Sequence, residues 1–182
     1  MSRIEQARRE NLASRQQQLY DDIMRTRPRG NLSGPFSVWI YRPDIAEPAN
    51  ALANCFRISP TLDKRLIELI VLLVCRDATA KYAWSAHVNL AREAGLSADT
   101  IEAIRARTRP EFGRDDERVV YDLVTELLAS KKVSTATFQR AEATLGRDGI
   151  IEAVSCAGFY GMIGFVLNTF EIPPQPGGDM LT

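Results

Sequence analysis

The run "LIELIVLLVC", Leu66 to Cys75, constrains this 182-residue chain more than any other stretch. It is apolar on every face of a helix, so the helix it predicts, Leu62 to Cys75, has no side to give to water and must lie at the centre of a fold. The Ser59-Pro60 dipeptide ahead of it reads as the helix start. One ionisable residue, Glu68, interrupts the run, and an unpartnered carboxylate in an apolar interior is costly. Two arrangements relieve it. Lys64 at i−4 or Arg65 at i−3 pairs with it along a wet edge of the helix, or Glu68 faces a pocket, as catalytic carboxylates do.

The remaining segments also read as helices. Residues 3 to 27 form a charged helix whose stripe of Ile4, Leu12, Leu19 and Ile23 is too sparse to anchor it in its own core, which leaves it free to lie on a partner subunit. "RPRGNLSGP" breaks that helix, "FSVWIY" is the one stretch with strand character, and "DIAEPANALANCF" fits a short helix. Phe36, Trp39 and Tyr41 read as core or as a pocket wall. Beyond the central helix, Thr79 to Ala94 ends at Gly95, Ser97 caps "ADTIEAIRA", and Asp115 or Asp116 caps "ERVVYDLVTELLASK". Ser134 opens "TATFQRAEATL", which Gly146 closes.

Ile150 to Phe170 is long and apolar like a membrane span, but Gly158, Gly161 and Gly164 recur every three residues, and Glu152 falls near the helix start. It reads as a buried helix of a soluble bundle or oligomer, its glycines offering a smooth stripe to another helix. "EIPPQPGGDMLT" reads as an extended tail. The expected fold is all-α and one domain over 1–182: a peripheral N-terminal helix (1–30), a helical core (31–168) and the tail (169–182).

With 23 basic and 23 acidic residues, the chain has no net field to draw phosphate backbones or anionic lipids, so neither nucleic acid nor membrane is an expected partner. A helix-turn-helix reading of residues 79 to 106 fails on the same ground, since "SADTIEAIRAR" has few base-reading side chains. The N-terminus has no apolar core of the signal-peptide kind, which points to the cytoplasm. Cys55, Cys75 and Cys156 are widely spaced, with no C-x-x-C pair and no neighbouring histidine, so they read as reduced thiols and no metal site is expected.

Chemistry centres on His87, the single histidine. Helical spacing puts Ala80, Ala83, Trp84 and His87 on one face, turning the imidazole inward beside Trp84. A buried acid on the preceding helix is the partner that would orient its ring, and Glu68 is such an acid. Cys75, seven residues from Glu68, shares its face. Arg76 and Lys81 are candidate cations for an anionic substrate.

Glu68, then Ala80-Lys-Tyr-Ala83, then His87, followed by "AREAGLS", resembles the carboxymuconolactone decarboxylase and alkylhydroperoxidase D family. "GPF...YRPDIA" and "GFYGMIGFVLNTFEIPPQP" are similar to its longer members. The resemblance implies a bundle of about seven to eight helices, assembled as a homo-oligomer, a trimer or a multiple of one. In the family's peroxidase branch a C-x-x-C pair lies between acid and histidine; Ala80 and Ala83 stand at those two positions here. A peroxidase activity carried over from the family would need a nucleophilic thiolate and a resolving thiol, which alanine cannot supply.

The resemblance to the thiol-free decarboxylase branch, through Tyr82-x-Trp84-x-x-His87, implies a lyase of aromatic-compound catabolism that needs no cofactor and acts on a small carboxylated lactone. His87 would be the acid/base, Glu68 its orienting partner, and Tyr82, Trp84 and Arg76 the substrate-binding groups. Such sequences often carry glutamate where Ala83 stands. The other function class is a non-catalytic oligomeric binding protein.

Overall fold

The computed structural model describes residues 2–26, 32–175 and 177–181, and every regular element among them is helical. After a 3-10 turn at Arg9–Asn11 come α1 (Ser14–Thr26), α2 (Phe36–Trp39), α3 (Pro43–Ile58), α4 (Lys64–Asp77), α5 (Lys81–Glu93), α6 (Ala98–Arg105), α7 (Asp115–Ser130) and α8 (Thr135–Thr169).

The central helix is α4, packed against α5, α6, α7 and α8. Leu66, Ile67 and the whole run from Leu69 to Cys75 are buried. Its N-cap is Asp63, whose carboxylate accepts from the Arg65 N–H at 2.8 Å. Ser59 is not the start: it ends α3, and the N–H groups of Thr61 and Leu62 donate to the Glu152 carboxylate on α8. That carboxylate thus ties α8 to the approach to α4.

Arg65 does not serve Glu68. Its guanidinium, 5% exposed, reaches α7 instead, donating to Asp116 at 2.7 Å and to Glu117. Burial pushes the Asp116 carboxyl up, but the Arg65 guanidinium outweighs burial and holds it below the usual carboxylate range. Asp116 Oδ1 also accepts the Glu117 N–H at 2.8 Å, but Asp115 and Asp116 both lie inside α7, whose N-cap is Arg114 with no side-chain cap bond.

Two expected elements differ. "FSVWIY" is helical, because Gly34, at φ +64, turns the chain tightly and Phe36 and Trp39, three apart, both face the core. A side chain at Gly34 would also collide with the Tyr82 ring, 2.6 Å from the Cβ position. At the N-terminus, residues before Ser14 leave the helix: the Arg3 N–H donates to the Phe170 carbonyl at 2.9 Å, and Arg3 pairs with Glu171. Leu12, Leu19 and Ile23 are buried against the same chain, and Arg15 makes a bidentate pair with Glu47 of α3. The sparse stripe is thus sufficient to dock α1 on its own core. The first part of the break expected in "RPRGNLSGP" lies outside the described residues.

The long helix α8 is broken at Gly146, whose φ of 68° and ψ of 176° separate two arms. Ser134 caps the first arm and Ser97 caps α6, each accepting from the N–H three residues on. As one element, α8 is long and apolar enough to cross a membrane, and half of its most apolar window is buried in the protein. Of the three glycines in the expected stripe, only Gly164 is closely approached, with Ala78 and Ala80 against it; Gly158 and Gly161 face open space, while Gly149, nearer the break, packs against Leu62 and Leu145.

Arg65→Met leaves Glu117 buried without its cation and should lower stability by about 3–5 kcal/mol, read from urea unfolding. Adding Glu117→Leu should recover most of that loss, since an apolar replacement of the pair carries no desolvation cost.

Candidate functional site

Glu68 lies on the face of α4 turned toward α5, and there it meets His87. Its Oε2 is 2.7 Å from His87 Nδ1, with the two side chains 15% and 16% exposed. A carboxylate only accepts, so Nδ1 carries the proton and Nε2 holds the lone pair of the neutral ring. Nε2 is met from α8 by the Tyr160 hydroxyl at 3.4 Å, and the two rings stand perpendicular with centroids 5.1 Å apart. Burial pushes the Tyr160 hydroxyl well above the usual phenol value; Cys156, Glu68 and Cys75 add to this, and Arg57 opposes it.

His87 and Tyr160 line a cavity of about 140 Å³ between α3, α5, the second arm of α8, the end of α1 and residues 32 to 36. Its wall is mostly apolar, with Phe36, Phe159, Ile163 and Leu167 prominent. A cavity of about 150 Å³ with such a lining holds a benzene ring, so the space suits one small ring. Arg57, at the end of α3, is the one lysine or arginine among the described lining residues, and it has no acid partner among the described residues.

The expected site residues separate into two groups. Tyr82, Ala83 and His87 line the cavity, and Glu68 stands behind the imidazole. Tyr82 also closes one side: its hydroxyl donates to Ser33 Oγ at 2.8 Å and accepts from the Gln175 amide at 3.4 Å. Trp84 does not reach the cavity. Each residue turns a helix by about 100°, so Ala83 and His87 nearly align while Trp84 rotates into the core, fully buried under the Arg105 guanidinium at 5.0 Å. Arg76 is also elsewhere. It donates from Nε to the Arg105 carbonyl at 2.7 Å, while Arg107 donates to the Arg76 carbonyl at 3.0 Å, so each arginine caps the end of the other's helix region. Lys81 is not in the cavity wall.

Two residues were not singled out by spacing, Arg57 and Tyr160. Each had a faint signal: Arg57 is the basic end of an alanine-rich helix, and Tyr160 is the one hydroxyl-bearing aromatic in the glycine-rich run.

No thiol serves this site. Ala83 is in the wall, and Ala80 is buried at the N-cap of α5 against Gly164. Burial, with the Glu68 charge adding to it, pushes the Cys75 thiol far above the usual thiol range, and Cys156 is raised by the same causes. Cys55 is exposed. A thiol reagent at pH 8 should therefore label Cys55 quickly in the folded protein, with Cys75 and Cys156 reacting only in guanidinium, as counted by mass spectrometry.

An all-helical fold with a carboxylate–imidazole pair facing a one-ring cavity defines a class, and the sequence comparison agrees with it. The family model for the carboxymuconolactone decarboxylase family matches residues 44–126, which hold both Glu68 and His87. Over these residues the chain is similar to the carboxymuconolactone decarboxylase family, with alanine at both positions where the peroxidase branch carries its thiol pair. No curated protein matches it in sequence.

Solved structures share the fold. A peroxidase-related alkylhydroperoxidase D core protein from Ralstonia eutropha JMP134 is 18% identical, with a TM-score of 0.79 over 97% of this chain and 93% of that one. A peroxidase-related protein from Silicibacter sp. TM1040 is 15% identical, with a TM-score of 0.77 over 97% and 93%. A debrominase, crystallised as a cysteine-to-alanine variant with 2,3,4-tribromopyrrole, is 13% identical, with a TM-score of 0.74 over 96% and 94%.

Proposed function

We propose that the protein is a cofactor-independent, decarboxylase-like enzyme that moves protons on a small, single-ring carboxylate. The observation that carries this reading is the 2.7 Å contact of Glu68 with His87 Nδ1, which fixes the ring orientation beside a mostly apolar cavity. In this reading Glu68 orients the ring and balances the imidazolium when it forms. The cavity admits one ring, and Arg57 supplies the cation for a carboxylate that stays on the substrate, a role the sequence had offered to Arg76. A second carboxylate, placed against the apolar wall, is poorly solvated there and leaves as CO2, its bonding electrons remaining on the ring until a proton arrives. The debrominase of the same fold, solved with a brominated pyrrole, shows that a one-ring ligand suits this architecture elsewhere.

The test is decarboxylation of carboxylated lactones, followed by CO2 release. His87→Ala should lower kcat by about 10²–10⁴-fold and Glu68→Gln by at least about tenfold, while Arg57→Gln should chiefly raise KM. Unchanged turnover in folded His87→Ala protein would end the reading.

The same reading takes the working unit to be a homo-oligomer, a trimer or a multiple of one. The support is the outer face of α8, where Ile151, Val154 and Met162 are exposed and Phe165 is 73% exposed. Phe165→Lys should reduce the mass seen by light scattering to that of the monomer; an unchanged mass would place the contact on another face.

A further inference from the structure

His87 has two ring nitrogens, and both are engaged. Nδ1 faces Glu68 at 2.7 Å and Nε2 faces the Tyr160 hydroxyl at 3.4 Å, so neither is left for a ligand in the cavity. Tyr160 is different. Its Oη meets one partner, its side chain lines the cavity, and the hydroxyl is near enough to Arg57 for that charge to act on it.

We propose that Tyr160, and not His87, is the group that exchanges the proton with the substrate, the imidazole acting behind it. The proposal rests on the acid/base reading above and adds the atom at which the proton passes. With neutral His87, Oη–H donates to Nε2 and the hydroxyl lone pairs are turned to the cavity, so the hydroxyl can receive a proton. With His87 as imidazolium, Nε2–H donates to Oη, and the hydroxyl's own proton is turned to the cavity.

When the carbon–carboxylate bond breaks, its electron pair stays on the ring carbon and CO2 departs. That carbon takes the Oη proton as Oη takes the Nε2 proton, leaving neutral imidazole, an intact phenol and the Glu68 carboxylate. Tyr160 gains one proton as it loses another, so it never stands as a phenolate. This matters because burial disfavours the phenolate strongly.

Tyr160→Phe removes one oxygen and keeps the ring that packs on Phe159. In lactone turnover it should lower kcat by about 10²-fold or more, with KM within about twofold of wild type. Wild-type kcat in Tyr160→Phe, with His87→Ala inactive, would overturn this proposal and leave the acid/base reading intact.

A second measurement stands apart from turnover. His87 is the one histidine in the chain, so every imidazole 15N signal belongs to it. Benzoate, a one-ring monoanion, is the probe. Saturating benzoate should leave both His87 nitrogens of the wild type in place and shift Nε2 in Tyr160→Phe, where the ring nitrogen is uncovered. An equal Nε2 shift in both proteins, or none in either, overturns the proposal.

Discussion

A carboxylate on a helix with no solvent face has to be held by something, and in this protein that demand organises two further helices. Glu68 is the acid in question. The imidazole that answers it comes from α5, and the hydroxyl that answers the imidazole comes from α8. The three central helices are thus joined by one line of hydrogen bonds through an otherwise apolar interior, and the cavity opens where that line ends. Such a chain is costly when incomplete, because each member relies on its neighbour for the partner that water would otherwise supply.

The acids and bases of α4 are sorted between two sides. Arg65 and Glu68 lie one turn apart, close enough to have paired with each other. Instead Arg65 is drawn to α7 by two carboxylates, and Glu68 is left to face α5. Had the two joined, the imidazole would lack its acid. The ion cluster on one side therefore helps keep the Glu68 and His87 pair of the other side separate from the structural charges.

Much of this was legible in the chain itself. The all-apolar run marks the central helix, Ser97 and Ser134 mark the starts of their helices, and helical spacing turns His87 inward. Periodicity was less reliable where a rotation of one residue decides the face: Trp84 sits beside Ala83 in the sequence yet points into the core. The cations were misjudged for a related reason. Arg76 is close to Glu68 along the chain, but its helix ends on the far side, whereas Arg57 and Tyr160 reach the cavity from helices whose packing no local pattern encodes. The strand character of "FSVWIY" was overridden by the turn at Gly34 and by the burial of two aromatic rings on one helical face.

The cavity wall is drawn from both ends of the chain. Ile23, Leu32 and Phe36 close it from one side, and Phe159, Ile163 and Leu167 from the other, with His87 between them. No contiguous piece of the sequence contains the site, so the space for a ligand exists only after the most distant contacts have formed. A ligand that fills it then binds the complete fold and nothing short of it, which makes occupancy a direct brake on unfolding.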